Sequence, residues 1–180
     1  MDCQKCQLHE LRRKVVLGRG TIPCEVLFVG EAPGESEDVL GKPFIGQAGK
    51  ALDDTITKAV EDAGYRPTMA FTNLIGCIPR DTETRKKVNE PAPECIEACQ
   101  MRLQSFTKLC KPQAIVMVGS LSQKWSPKMI DWDFQFSIDI IHPAAILRMA
   151  YMQAVFYEQK TCVQLRDLFI KVKNAKDSDS

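Results

Sequence analysis

The sequence predicts an α/β fold: a single domain with a central four-stranded, mostly parallel sheet flanked by helices. Three observations carry that reading. Short apolar runs at Val26–Val29, Met69–Cys77, Ala114–Val118 and Phe134–Ile141 alternate with longer stretches of helical period. Several of these runs stop at a glycine or an isolated polar group, as strands do when they reach a functional loop. The chain of 180 residues is long enough to bury one core, and no second domain is needed.

Taken in order, Cys3-Gln-Lys-Cys6 opens the chain, and Leu8, Leu11, Val15 and Val16, with Arg12 to Lys14 between them, suggest a short amphipathic helix. A CxxC pair brings two thiolates near enough to share a metal or cluster; by itself it suits a zinc pair or a redox dithiol equally well. Residues Glu25 to Gly30 form the first expected strand. It ends in Gly30-Glu-Ala-Pro-Gly34 and Glu35-Ser-Glu-Asp38, continued by Gly41-Lys-Pro-Phe-Ile-Gly-Gln-Ala-Gly49, and a helix is expected from Gln47 to about Ala63. In an open α/β sheet, ligands bind beyond the carboxyl ends of the strands, so this loop is where a site is expected. It has neither the closing Gly-Lys-Ser/Thr of a P-loop nor the spacing of a dinucleotide fingerprint.

The second strand is expected over Met69 to Cys77, with Asn73 and Cys77 near its end, followed by a polar loop carrying Arg85-Lys-Lys87, where phosphate contact and plain solvation are both open. A helix starts at Pro91 to Pro93 and runs to about Leu109. The third strand is Ala114–Val118, and residues 121–133 carry no clear period. The fourth, Phe134–Ile141, leads into His142-Pro-Ala-Ala-Ile-Leu-Arg148, a helix to about Val172 and a disordered tail over 174–180, so the domain is expected to span 1–173. Glu31, Asn73 and His142 each follow or close a different strand. Strand ends of a parallel sheet share an edge, so these groups are expected to converge.

Composition narrows the function classes. A formal net charge of +1 neither supports nor excludes a nucleic-acid partner. No apolar run has the length of a membrane span and the N-terminus has no signal-peptide character, so a cytoplasmic protein without membrane contact is expected. Eight cysteines in such a chain suggest a metal or cluster site with additional buried thiols, not a disulfide framework. Cys24, Cys110 and Cys162 lie in apolar segments and are expected to act as small core hydrophobes.

Gly30-Glu-Ala-Pro-Gly34, Glu37-Asp38 and Gly41-Lys-Pro-Phe-Ile-Gly46 resemble the first motif of the family 4 uracil-DNA glycosylases, the iron-sulfur branch of the superfamily. Cys3-x-x-Cys6 with Val15-Val-Leu-Gly-Arg-Gly20 is similar to the family's N-terminus, Phe71-Thr-Asn-Leu-Ile-Gly-Cys77 to its second motif, and His142-Pro-Ala-Ala-Ile-Leu-Arg148 to its third. The resemblance covers about residues 3 to 149, with the motifs in order. It implies a uracil-DNA glycosylase-like fold and a monofunctional enzyme that flips uracil out of DNA and hydrolyses its N-glycosidic bond. The implied partner is uracil-containing DNA, single- or double-stranded, bound by a monomer.

Site roles follow from the same resemblance. Phe44 would stack on the base, Asn73 would pair with its N3 and O4 edge, and Glu37 would crowd C5 and exclude a methyl group. His142 would hydrogen-bond uracil O2, Glu31 would orient the attacking water, and Gly30 and Ala32 would be among the substrate-binding residues. Leu147 would wedge into the stack and Arg148 would contact phosphate. Cys3, Cys6, Cys77 and Cys99 would hold a [4Fe-4S] cluster of structural purpose, with Cys95 the alternative fourth ligand. The chain departs from the family in a short segment between Gly119 and His142, in Ile140-Ile141 and in Met149-Ala150, which puts substrate range and rate in question. Two rival readings stand beside it: a non-catalytic or weakly catalytic DNA-binding subunit of a replication or repair complex that keeps the glycosylase scaffold, and a small iron-sulfur redox protein.

Overall fold

The computed structural model describes residues 3–81, 83, 84, 86 and 90–178. Two positions of the basic run, Arg85 and Lys87, lie outside the described residues. The strands are β1 (Arg19–Gly20), β2 (Val26–Gly30), β3 (Met69–Asn73), β4 (Ala114–Val118) and β5 (Phe136–Ile140). They form one sheet in the order β1-β3-β2-β4-β5, parallel except for β1. The mostly parallel sheet is as expected, but it has five strands instead of four. The extra strand pairs Arg19 with Phe71 and Gly20 with Ala70; two residues are too few to show a strand period in sequence.

β2 is buried along its whole length, as a central parallel strand covered on both faces must be. Val26 and Phe28 face a core formed with α2 (Gln47–Ala63) and α7 (Tyr151–Ser178), through Leu52, Ile56, Leu165, Phe169 and Val172. Leu27 and Val29 face the opposite layer of α3 (Pro93–Ala98), α4 (Gln100–Cys110) and α5 (Ser120–Met129), through Ile96, Leu103 and Leu121. Two short helices complete the set, α1 (Glu35–Leu40) inside the expected loop and α6 (Pro143–Ile146) after His142. From β2 the chain moves to β3 on one side and then crosses to β4 on the other. The crevice above the end of β2 therefore lies at the point where the strand order reverses.

Several boundaries move for tertiary reasons. The expected N-terminal helix is reduced to one 3-10 turn at Gln7–Glu10, because nearby backbone donors take distant partners. Val16 N–H bonds Gly76 O at 2.7 Å and Arg13 N–H bonds the fully buried Asp38 carboxylate at 2.9 Å. The helix expected from Pro93 to Leu109 breaks at Cys99 into α3 and α4. At the other end α7 continues past Val172 to Ser178, over residues expected to be disordered. There Lys176 Nζ donates to Glu25 Oε1 at 2.8 Å, joining the last turns of α7 to the start of β2. Among the described residues, no helix is long and apolar enough to cross a membrane.

Candidate active site

Parallel register sets Gly30 of β2 directly beside Asn73 of β3. The loop past β3 is then fastened to the loop past β2, because Leu74 N–H donates to Gly30 O at 2.9 Å. Asn73 is thereby held almost fully buried at the head of a pocket of about 480 Å3, with Ala32, Glu37, Phe44 and His142 among its walls. Phe44 has a left-handed backbone, φ 55°, which a bulky residue seldom adopts and which marks a position held by its surroundings. Arg19 does part of that holding. Its Nε donates to Pro43 O at 2.9 Å and its Nη2 to Phe44 O at 3.3 Å and to Asp53 at 2.7 Å.

Glu37 clamps the loop from inside. Its carboxylate accepts from Gly34 N–H at 3.1 Å, Ile45 N–H at 3.0 Å and Gly46 N–H at 2.8 Å. The two ends of the 34–46 loop are thus tied to one buried group, which also forms part of the pocket wall.

His142 sits at the start of α6, and its Nδ1 accepts from Ala144 N–H at 3.1 Å. That bond occupies the Nδ1 lone pair, so the neutral imidazole carries its proton on Nε2 and presents a donor there. Glu31 Oε1 accepts from Leu121 N–H at 3.2 Å, in the first turn of α5. Both groups crowd Gly119, which has φ +90°; a Cβ there would lie 2.4 Å from Glu31 Oε1 and 3.0 Å from His142 Cβ. Only glycine lets the carboxylate and the imidazole stand this close.

The expected groups do not all face one space. Ala32, Glu37, Phe44, Asn73 and His142 border the 480 Å3 pocket, whereas Glu31 and Arg148 border a larger cavity of about 890 Å3 beyond His142. Ala32, His142 and Ala144 form the partition shared by both. Gly30 underlies Phe44 and Asn73, and Leu147 is exposed after α6.

A second centre lies behind β3. Burial pushes the Cys77 thiol up to about 11, against the lowering effect of Arg12, and Cys99, Cys6 and Cys3 add to the rise. Cys99, Cys6 and Cys3 therefore all lie within electrostatic range of Cys77. Cys95 joins them, pushed up to about 12 by burial and by its neighbour Cys6, to which it hydrogen-bonds. Among the described residues, no three such groups are placed to grip one metal ion. Beside them lies Arg102, a residue sequence reasoning missed. Its guanidinium donates to Thr72 Oγ1 at 3.1 Å, Leu17 O at 3.2 Å, Leu74 O at 3.0 Å and closely to Asn73 O. Its Nε is buried without a partner. Burial lowers the Arg102 pKa, while Cys99, Cys77 and Cys3 oppose that shift. The only sequence hint was its position three residues after Cys99; Gly119 could have been found as a glycine ending a strand. Cys24 and Cys110 are buried, as expected of core thiols, and Cys162 is half-buried.

Comparison with known proteins agrees with this architecture. The model of the uracil DNA glycosylase superfamily matches residues 17–166. The chain belongs to that superfamily. It is 34% identical over 135 residues to the type-4 uracil-DNA glycosylase of Archaeoglobus fulgidus, covering 74% of this chain and 63% of that protein. It is 39% identical over 124 residues to that of Pyrobaculum aerophilum, covering 68% and 58% respectively. Identity to the Thermotoga maritima type-4 uracil-DNA glycosylase is 32% over 160 residues, covering 81% of this chain and 78% of that protein. The match thus spans 58–63% of the first two relatives and more of the third. The resemblance to the family 4 branch of the uracil-DNA glycosylases is borne out by these relatives.

Proposed function

We propose that this chain is a uracil-DNA glycosylase that hydrolyses the bond between uracil N1 and deoxyribose C1′ in DNA. One observation carries the reading: the 480 Å3 pocket joins a buried amide, Asn73, an aromatic face, Phe44, and an imidazole, His142, whose Nδ1 accepts from Ala144 N–H and whose donor is therefore Nε2. That set is complementary to one flipped pyrimidine, with stacking on the ring, an amide for the N3–H and O4 edge, and a donor for O2. Glu37, fixed by three N–H groups, gives the wall by C5 a rigidity that suits exclusion of a methyl group.

In the reaction, water oxygen adds to C1′ as the C1′–N1 bond breaks, and the bonding pair leaves with uracil. The His142 Nε2–H donor stabilises the charge that collects on O2; a preorganised donor of this kind contributes on the order of 10^2–10^3 in rate. Glu31 stands on the far side of the partition, where it can orient the water, take its proton and offset positive charge on the sugar. The separation of Glu31 from the base pocket matches that task, because nucleophile and leaving group occupy opposite faces of the reacting carbon.

Cys3, Cys6, Cys77 and Cys99 suit a [4Fe-4S] cluster. A cubane takes one thiolate at each of four separated irons, so its ligands need not converge on a point. The lone buried Arg102 Nε and the nearby Arg12 fit the negative charge of such a group. When bound, the cluster would cross-link the N-terminal segment, the end of β3 and the start of α4. The test is uracil release from an oligonucleotide by cluster-loaded protein, with Asn73→Ala as control. Release that disappears in the control is expected; tight binding without release would leave a non-catalytic DNA-binding subunit instead.

A further inference from the structure

We propose that the outer face of α7 is a self-association surface, on which a second copy of this chain packs in antiparallel orientation. The resemblance implies a monomer; this face implies a reversible dimer, whatever reaction the base pocket carries out. α7 has two apolar faces. Leu165, Leu168, Phe169 and Val172 are buried in the core with Phe28 and Val116. Met152, Phe156, Val163 and Ile170 are instead between 37% and 76% exposed. At 3.6 residues per turn these four fall within about 40° of one another and about half a turn from the buried set, so they form one ridge pointing away from the core. From Phe156 onward they recur every seven residues, the spacing of a coiled-coil seam. Single exposed apolar residues are ordinary, but a continuous stripe along one helix marks a surface that another molecule covers.

The charges beside the ridge identify the occupant as a second copy. A two-fold axis through Val163 sets that residue against its own copy and Phe156 against Ile170 of the second copy, so apolar groups meet along the seam. In the same register Lys160 comes opposite Asp167 of the second copy on one flank, and Glu158 opposite Arg166 on the other, each pair occurring twice by symmetry. Arg166 and Asp167 already bond each other at 2.7 Å within one chain, so the cross-chain pairs lengthen an ion network that the single chain starts. The flank that receives Arg166 is acidic: Glu61, Asp62 and Glu158, with Lys58, line the groove between α2 and α7. A parallel pair would set each charge against its like, Lys160 on Lys160 and Asp167 on Asp167, and is disfavoured. From Met152 to Ile170 the ridge runs about 27 Å at 1.5 Å per residue. One helix face of that length lies at the low end of interface sizes, so the dimer is expected to dissociate with Kd of about 10–100 μM.

The test is sedimentation equilibrium of the full-length protein from about 1 to 300 μM, a range that brackets the expected Kd. Wild type is compared with Val163→Asp, with Lys160→Asp and with the double variant Lys160→Asp/Asp167→Lys. Wild type should fit a monomer–dimer equilibrium. Val163→Asp, which buries two carboxylates against each other on the axis, should raise Kd at least about tenfold. Lys160→Asp should weaken the dimer about threefold or more, and the double variant, which restores opposite charges across the axis, should return Kd to within about twofold of wild type. Thermal unfolding of each variant at low concentration, where all are monomers, should match wild type, because every substituted side chain is on the outer face. A wild-type protein that stays monomeric over the whole range would overturn the proposal, as would a Val163→Asp protein that dimerises as well as wild type. A double variant no tighter than Lys160→Asp would overturn the antiparallel arrangement.

Discussion

Replacing Gly30 by alanine adds one methyl group at the floor of the base pocket. Its Cβ would lie 2.4 Å from Asn73 Oδ1 and 2.5 Å from Phe44 Cζ, far inside van der Waals contact. Gly30 is an ordinary β2 residue without a positive φ, so the backbone accepts the change unstrained. What must move are the ends of two side chains, the amide and the ring assigned to uracil. Losing two hydrogen bonds to the base edge removes about 1–3 kcal/mol. Disturbing a stacking contact removes about 1–3 kcal/mol more. A total of about 3 kcal/mol corresponds to roughly a hundredfold fall in kcat/KM. Repacking around the methyl costs about 1–2 kcal/mol of stability, a fall of about 2–8 °C in Tm for a chain of this size. Uracil release under steady state, measured beside thermal unfolding, separates the two effects. A folded Gly30→Ala protein with kcat/KM within about threefold of wild type would refute the assignment of this pocket to the base.

Other perturbations probe the remaining parts. Gly119→Ala pushes Glu31 away from Leu121 N–H and strains a left-handed backbone, so kcat should fall far more than the affinity for free uracil, as inhibition assays would show. Glu37→Gln replaces the acceptor of three N–H bonds with a group that must direct an amide toward one of them; stability should drop by about 2 kcal/mol, read in urea unfolding. Cys99→Ser should lose iron on anaerobic purification while Cys95→Ser retains it, and iron analysis of the two proteins decides which thiol is the fourth ligand. The Glu25–Lys176 tie sets a pH window. Burial would raise the Glu25 carboxyl, but Lys176, Thr68 and Tyr65 together hold it below its ordinary 4.5, while Glu25 holds the Lys176 ammonium above its ordinary 10.5. The contribution of Glu25 is therefore present above its unfolded value and lost as pH falls through the folded one; that of Lys176 is present below 10.5 and lost as pH rises beyond it. The Tm difference between wild type and Glu25→Gln should be flat from about pH 5 to 9 and shrink on either side.

The sequence by itself determined the α/β class, the main strand positions and the loops that carry the site. Apolar period and glycine or proline punctuation act over a few residues, and Val26–Gly30 or Ala114–Val118 can be read without knowing the partner strand. Tertiary structure alone decided what each group faces. Glu31 and Asn73 both follow strands, yet Glu31 turns toward α5 because Leu121 N–H and the missing side chain of Gly119 receive it there. Asp38 looks like one more carboxylate in an acidic loop, but it is fully buried and anchors the N-terminal segment through Arg13. Arg102 shows no local period that announces it, and becomes a hub only when Leu17, Thr72 and Asn73 are brought to it from two other segments. The same holds for β1, which needs Ala70 and Phe71 to be a strand at all, and for α7, whose last turns are tied to Glu25. Local propensity acts between neighbours in the chain. The partner of a buried donor or carboxylate is set by long-range packing, and that packing turns strand ends into an active site.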